Sequence, residues 1–172
     1  MPIIKSKRFI LRHFKKEDEK YLTKYANDRL VSRYISTMPY PYTIKDAKKW
    51  INHCIAAYKK RKKKEMNFVI EINGHLAGAV GLSHIDKHKA EIGYWLGRDF
   101  WNKGIATEAV KVITNFGFNK LKLKRIYAYI FKQNKGSVRV LEKNGYKFEG
   151  LLRKHANKDG KLIDSLLYAR VR

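Results

Sequence analysis

One cysteine, Cys54, stands in 172 residues, so no internal disulfide can form. No group of Cys and His has zinc-ligand spacing either, and a reducing compartment with no metal is the expected setting. Proline and glycine are sparse, at 3 and 11 residues, which excludes collagen-like and linker compositions. No stretch approaches the roughly 18–20 apolar residues that cross a bilayer. The start, Met1-Pro2-Ile3-Ile4-Lys5, lacks the apolar run of a leader, so a soluble cytoplasmic protein is expected, without a membrane span. Acids are scarce as well: 15 Asp and Glu face 39 Lys and Arg, a net charge of +24. Such an excess points to an anionic partner, whether nucleic acid, a phosphorylated cofactor or a membrane surface.

What is present is enough apolar material for a core. Hydrophobic residues make up 44% and aromatics 13%, spread along the whole length, which excludes disorder. At about 100–200 residues per domain, residues 1–172 read as one domain. Residues 8–12 alternate as a short strand, and residues 16–27 have surface-helix spacing with Glu17, Asp18 and Glu19 in the first turn, where the helix dipole favours acids. Pro39 and Pro41 make residues 36–42 a loop, and Thr43 with Asp46 approximates a capping box for a helix to about residue 63. Residues 67–72, 76–84 and 89–96 read as antiparallel strands, the first two joined at Asn73-Gly74. A helix over 104–120, a strand over 125–131, a short helix over 137–144 and strands over 146–154 and 161–170 complete a mixed α/β order.

The segment Trp101-Asn102-Lys103-Gly104-Ile105-Ala106-Thr107-Glu108 lies between a strand and an amphipathic helix. The first turn of a helix has amides without internal partners and a partial positive charge, so small residues there leave room for an anion. Gly104 and Ala106 supply that room and Lys103 adds charge, with a diphosphate as the natural occupant. The same residues also fit a glycine N-cap on an ordinary buried helix. No Gly-Lys-Ser or Gly-Lys-Thr provides a Walker A loop, and the dinucleotide fingerprint lacks its glycine triplet.

Together with Glu91-Ile92-Gly93-Tyr94-Trp95-Leu96 and the element from Asn134 to Tyr146, this loop resembles the GNAT acetyltransferase superfamily. The Rim-type ribosomal-protein N-terminal acetyltransferases are the most similar branch. The family signature, Gln/Arg-x-x-Gly-x-Gly/Ala, falls on Trp101, Gly104 and Ala106, with Trp in place of its first residue. The resemblance implies a single-domain GNAT fold: a mixed, mostly antiparallel sheet of six to seven strands, splayed between the fourth and fifth, with about four helices. It implies acetyl-CoA as co-substrate in the opening between residues 89–96 and 125–131. The pantetheine arm would run along Tyr94, Trp95 and Leu96, with Asn134 in contact. The pyrophosphate would sit on the amides of Asn102, Lys103, Gly104, Ile105, Ala106 and Thr107.

Many family members place a proton-donating Tyr seven residues after that Asn, and here the position is Leu141. Ser137 is the substitute that the Rim-type resemblance implies, a modest donor being enough because a thiolate with pKa near 8.5 already leaves well. The same Ser can equally cap the short helix. Glu91, on the splayed strand, is the best-placed carboxylate for a base; a surface partner for nearby lysines is its other reading. Asp164 resembles a carboxylate lining the acceptor cleft, able to bind a cationic terminus, act as base, or pair with Lys161. Tyr34, Tyr40 and Tyr42 fit either the acceptor entrance or the core.

The implied activity is direct acetyl transfer to a primary amine, foremost the N-terminal α-amine of a protein such as a ribosomal protein. A small amine (polyamine, amino sugar or amino acid) is the alternative, and a non-catalytic RNA- or ribosome-binding module the third. The run Lys59-Lys60-Arg61-Lys62-Lys63-Lys64 reads either as a nucleic-acid patch or as a solvated helix end whose cations complement the dipole. A monomer or a homodimer is compatible with the sequence.

Overall fold

The computed structural model describes residues 3–172; Met1 and Pro2, the start of the segment read for a leader, lie outside the described residues. The chain runs through strands β1 (Ile4–Lys5) and β2 (Ile10–Arg12), then helices α1 (Glu19–Ala26), α2 (Arg29–Ser32) and α3 (Ile44–Lys59). Strands β3 (Met66–Ile72), β4 (His75–Asp86) and β5 (Lys89–Leu96) follow, then α4 (Ile105–Asn119), β6 (Arg125–Phe131), α5 (Lys135–Lys143), β7 (Lys147–Lys158) and β8 (Lys161–Val171). The strands form one sheet in the order β1-β2-β3-β4-β5-β6-β8-β7. Every pairing is antiparallel except β5 with β6.

Among the described residues, eight strands and five α-helices therefore stand where six to seven and about four are expected. The added pieces are too short to leave a period. β1 has two residues, and α2 is a single turn opened by Asp28, whose carboxylate accepts the Leu30 amide at 2.9 Å. α3 opens on Thr43 as expected: the hydroxyl accepts the Asp46 amide at 3.3 Å while Asp46 accepts the Thr43 amide at 2.8 Å. It ends at Lys59, before residue 63, because the Lys63 ammonium turns back onto the Tyr58 and Lys60 carbonyls. α1 likewise starts late, at Glu19. Before it comes a 3₁₀ turn over Lys16–Asp18, and the buried Asp18 carboxylate accepts the Lys15 amide at 2.9 Å and the Arg12 guanidinium at 2.7 Å.

Strand alternation divides the core between the two faces of the sheet. On one, Phe68, Ile70, Leu82, Ala90, Ile92 and Ile126 pack against α4 and α5; on the other, Val69 and Leu76 pack against Leu22 of α1 and Ile51 of α3. α4 lies so close to the sheet that a Cβ at Gly117 would come within 2.8 Å of the Ile126 side chain. β7 runs four residues beyond its expected end at residue 154, through an irregularity where Lys154 adopts φ +51°. This bend carries the β7–β8 tip to the loop after α2, where the buried Lys158 ammonium donates to the Met38 carbonyl at 2.5 Å.

Candidate active site

β5 and β6 are paired over three positions only, Lys89 with Arg125, Ala90 with Ile126 and Glu91 with Tyr127. Beyond that, β5 follows β4 as far as the pair Leu96 and Gly78, while β6 follows β8 to the pair Phe131 and Ser165. The two strands part, and the edge of β5 from Ile92 onward presents main-chain groups to an opening with no strand beside it. Such an edge takes an extended partner.

The helix start lies at the end of this edge. Gly104 caps α4 with φ +73°, a left-handed conformation that costs a residue with Cβ about 1–2 kcal/mol. Asn102 is left-handed too, at φ +59°. The first intrahelical bond runs from the Glu108 amide to the Gly104 carbonyl, so the amides of Ile105, Ala106 and Thr107 point out of the helix without acceptors inside it. Arg8 holds the loop from behind, its guanidinium on the Lys103 and Gly104 carbonyls and its Nε donating to Glu108 at 2.7 Å. Ser6, foremost, and Arg8 pull the Glu108 carboxyl below its ordinary value by hydrogen bonding. The Lys103 ammonium donates to the Asp99 carbonyl, and the Trp101 indole donates to the Leu96 carbonyl at 2.9 Å, tying the loop to the end of β5. Trp at the first signature position thus anchors the loop by a main-chain bond.

The third part of the site is the start of α5. Asn134 is its N-cap, with Oδ1 accepting the Ser137 amide at 3.2 Å and Nδ2 donating to Ser137 Oγ at 3.0 Å. That second bond uses a lone pair of the hydroxyl and leaves its proton to be donated elsewhere. Ser137 is therefore not the cap of α5: that role falls to Asn134, because the helix begins at Lys135 rather than at Ser137, and the Ser137 amide is the group that is capped while its hydroxyl keeps a proton to donate. Tyr94 reaches from β5 and donates to the Ser137 carbonyl at 2.9 Å, and burial pushes its phenol well above the usual range. Leu141 is fully buried in the core, so no polar group acts from that position.

On the opposite face of the split stands Glu91. Its carboxylate is 3.1 Å from His84 Nδ1, and burial raises its pKa while His84 and His155 pull it down. Tyr127 is its neighbour on β6; Tyr127 and Tyr129 meet edge to face, and His155 lies over Tyr129 at 4.5 Å with Nδ1 3.1 Å from Ser165 Oγ.

The structure brings together Tyr94, Asn134 and Ser137, and sets Glu91 across the sheet from them. It does not bring Asp164 to Glu91. Ala169 shares a row with Tyr127 and Glu91, and Asp164, five residues earlier on β8, falls on the opposite alternation, with one carboxylate oxygen accepting the Lys154 amide at 2.9 Å. Trp95 packs against the α1–α3 side, away from Tyr94, so only its main chain faces the opening. Tyr42 is buried, Tyr34 is partly covered and Tyr40 is exposed, with Arg33 over the Tyr34 ring and Arg29 over that of Tyr40. Arg8, Tyr127, Tyr129 and His155 had no sequence signal, because each meets segments far off in the chain, and His84, seven residues before Glu91, had none because an irregularity of β4 and not a period aims it. Cys54 sits in the buried stripe of α3, where burial pushes its thiol well above the ordinary value and keeps it protonated. A depression of about 360 Å³ bounded by His13, Phe14, Lys16, Cys54 and Tyr58 is lined by none of the candidate residues.

Residues 8–147 match the acetyltransferase (GNAT) domain family. The chain belongs to the GNAT acetyltransferases. This acetyltransferase is 30% identical over 171 residues to the uncharacterized N-acetyltransferase p20 of Bacillus licheniformis, covering 98% of this chain and 96% of that one. It is 29% identical over 144 residues to the spermidine N(1)-acetyltransferase of Escherichia coli strain K12, covering 83% and 74%. Among solved structures, RimL, the ribosomal L7/L12 alpha-N-protein acetyltransferase in complex with coenzyme A, superposes with a TM-score of 0.89 over 99% of this chain and 98% of that one. At 20% identity that likeness shows the fold alone. Acetyl-CoA is the co-substrate of this family. The residues present fit it: a strand edge open to an extended arm, followed directly by outward-facing amides at a helix start. Among the described residues no group of three or more His, Cys, Asp or Glu is placed to hold a metal, and no helix is long and apolar enough to cross a membrane.

Proposed function

We propose that this N-acetyltransferase modifies the N-terminal α-amine of a protein, a ribosomal protein foremost. The observation that carries the reading is the half-buried Glu91 carboxylate at the split, bordered by Tyr127, Tyr129 and His155, with the nearby Glu149 already taken up by Arg125. One carboxylate suits one amine. An α-amine, with an ordinary pKa of about 7.7–8.0, needs only a modest base, whereas a lysine at about 10.4 needs a much stronger one. A polycation needs several acids, and a net charge of +24 lowers its concentration near the protein. In this reading Glu91 takes the proton from the ammonium, the amine lone pair attacks the thioester carbon, and Ser137 Oγ donates to the departing sulfur. Tyr94, Trp95 and Leu96 hold the pantetheine arm with Asn134, and residues Asn102, Lys103, Gly104, Ile105, Ala106 and Thr107 hold the pyrophosphate. The one domain spans residues 1–172, and its lone buried thiol fits the cytoplasm.

An acceptor panel tests this. Short peptides with free N-termini are expected to release CoA faster than spermidine, an aminoglycoside or a free amino acid. Faster turnover on any small amine would reverse the assignment in favour of the small-molecule reading, which the 29% identity to a spermidine acetyltransferase keeps as the alternative.

Two further expectations concern single elements. Ser137→Ala should lower kcat roughly tenfold, less than the usual 10²–10⁴ for a positioned acid because the thiolate already leaves well, with little change in acetyl-CoA affinity. Unchanged kcat would remove Ser137 from the chemistry. The run after α3 supports docking on RNA-rich particles: Lys59, Lys60, Arg61, Lys62 and Lys64 are exposed, while Lys63 is occupied in closing the helix. Changing Lys60, Arg61, Lys62 and Lys64 to Gln should weaken RNA binding and flatten its salt dependence, leaving peptide turnover unaltered. RNA affinity that survives the change would exclude the run.

A further inference from the structure

His84 lies in the β4 segment where the register with β5 shifts, between the pairs Ser83 with Glu91 and Asp86 with Lys89. In a regular strand His84 would point to the face opposite Ser83, away from Glu91. Here its backbone is left-handed, at φ +48°, and its Nδ1 comes to 3.1 Å from Glu91 Oε2. Irregularities of this kind re-aim a side chain, and His is among the few residue types that take φ > 0 readily. The strand is held in this shape from outside, by the Ile85 amide donating to the Lys64 carbonyl at 2.9 Å. The two partners differ sharply in exposure, with the His84 side chain 74% exposed and Glu91 25%.

We infer that His84 is a positioning residue for acetyl transfer: it orients the Glu91 carboxylate and carries the proton that Glu91 removes from the acceptor ammonium out to solvent. This rests on the reading of Glu91 as base. The protons balance as follows. The ammonium gives one proton to the Glu91 carboxylate, and the resulting carboxylic acid passes it to Nδ1 of a neutral His84. The imidazolium then releases a proton from Nε2 to bulk water, Glu91 is again a carboxylate, and the exposed ring regains its Nε2–H tautomer by proton exchange with solvent before the next turnover. The second amine proton ends on the CoA thiol. Without an exit, a half-buried Glu91 would have to discharge its proton past the bound acceptor.

The other groups facing Glu91 do not offer that exit. Tyr127 on β6 stays protonated, its phenol raised foremost by burial and further by Glu91 itself. His155 of β7 acts on Glu91 through its charge and is tied to Ser165, while Arg125 is held by Glu149 and Lys89 lies two residues back on β5.

The test measures kcat against pH at saturating acceptor, where groups of the bound complex titrate. It uses the full-length protein, the His84→Asn and Glu91→Gln variants, and acetyl-CoA with a short peptide. Asn accepts the left-handed backbone and has no titrating ring. Removing the favourable partner leaves the burial of Glu91 uncompensated, so the acidic limb should move up in His84→Asn, by about 0.1–0.7 pH unit for a pair as exposed as this. KM for acetyl-CoA should stay unchanged, and added imidazole should restore part of the loss. A limb that stays in place, or a turnover lowered equally at all pH values, would overturn the role of His84 while Glu91 stands. If Glu91→Gln keeps the wild-type limb, the base itself is misassigned and the relay falls with it.

Discussion

Gly104→Val is expected to abolish acetyl-CoA binding. The residue sits at φ +73°, and a Cβ built there meets the Arg8 guanidinium at 3.5 Å. That distance is an ordinary contact, so the cost lies in the backbone: a residue with Cβ pays about 1–2 kcal/mol for the left-handed conformation, and a β-branched one, stiff at χ1, adopts it least readily. The loop must re-form, and with it the aim of the Ile105, Ala106 and Thr107 amides, which only a helix start of this shape turns outward together. The readout is thermal. A ligand at a hundred times its Kd stabilises by about 2.7 kcal/mol, which for a domain of this size is a rise of roughly 5–10 °C in Tm. The wild type should show that rise with acetyl-CoA and the variant none. A variant that still responds would mean that the amides of this loop do not hold the phosphates.

Glu91→Gln is expected to lower kcat by a factor on the order of 10²–10⁴, the range for loss of a positioned general base, with the acetyl-CoA thermal shift intact. The amide has the shape of the carboxylate and can still bond to His84, so the change removes little besides proton acceptance. The pH dependence has a definite sign. Burial raises the Glu91 pKa, and a base works only when deprotonated, so wild-type turnover is present above that raised value and falls as pH drops through it. In the variant the corresponding limb should vanish. Turnover within about threefold of wild type would leave the acceptor amine to deprotonate unaided, as an α-amine near its own pKa can.

Much of the fold was legible because it rests on local rules. The Thr43 and Asp46 cap, the Asn73-Gly74 turn and the apolar stripe of α4 are each decided within a few residues, and each forms as read. The pieces that escaped are those without a period or with a distant cause. β1 exists because Ile4 and Lys5 pair with Leu11 and Ile10, and α3 ends early because Lys63 folds back on it. β7 extends past residue 154 because a bend at Lys154 lets its tip reach Met38, across 120 positions of sequence.

For the site the division is the same. The sequence by itself determined the glycine-opened helix start with its outward amides, because a glycine before small residues at the head of an amphipathic helix is a local arrangement. It also determined the Asn134 and Ser137 pair, three residues apart and therefore within one turn. Tertiary structure alone decided the rest. The opening between β5 and β6 depends on where two parallel strands stop pairing, and the support of the loop depends on Arg8, nearly a hundred residues away in the chain. The surroundings of Glu91 come from β4, β6 and β7 at once, and Asp164 was drawn off to a bend of β7. The physical reason is range: capping and periodicity act over a turn of helix or a step of strand, whereas the protonation of a carboxylate follows whatever charges and dry surfaces the whole fold sets beside it.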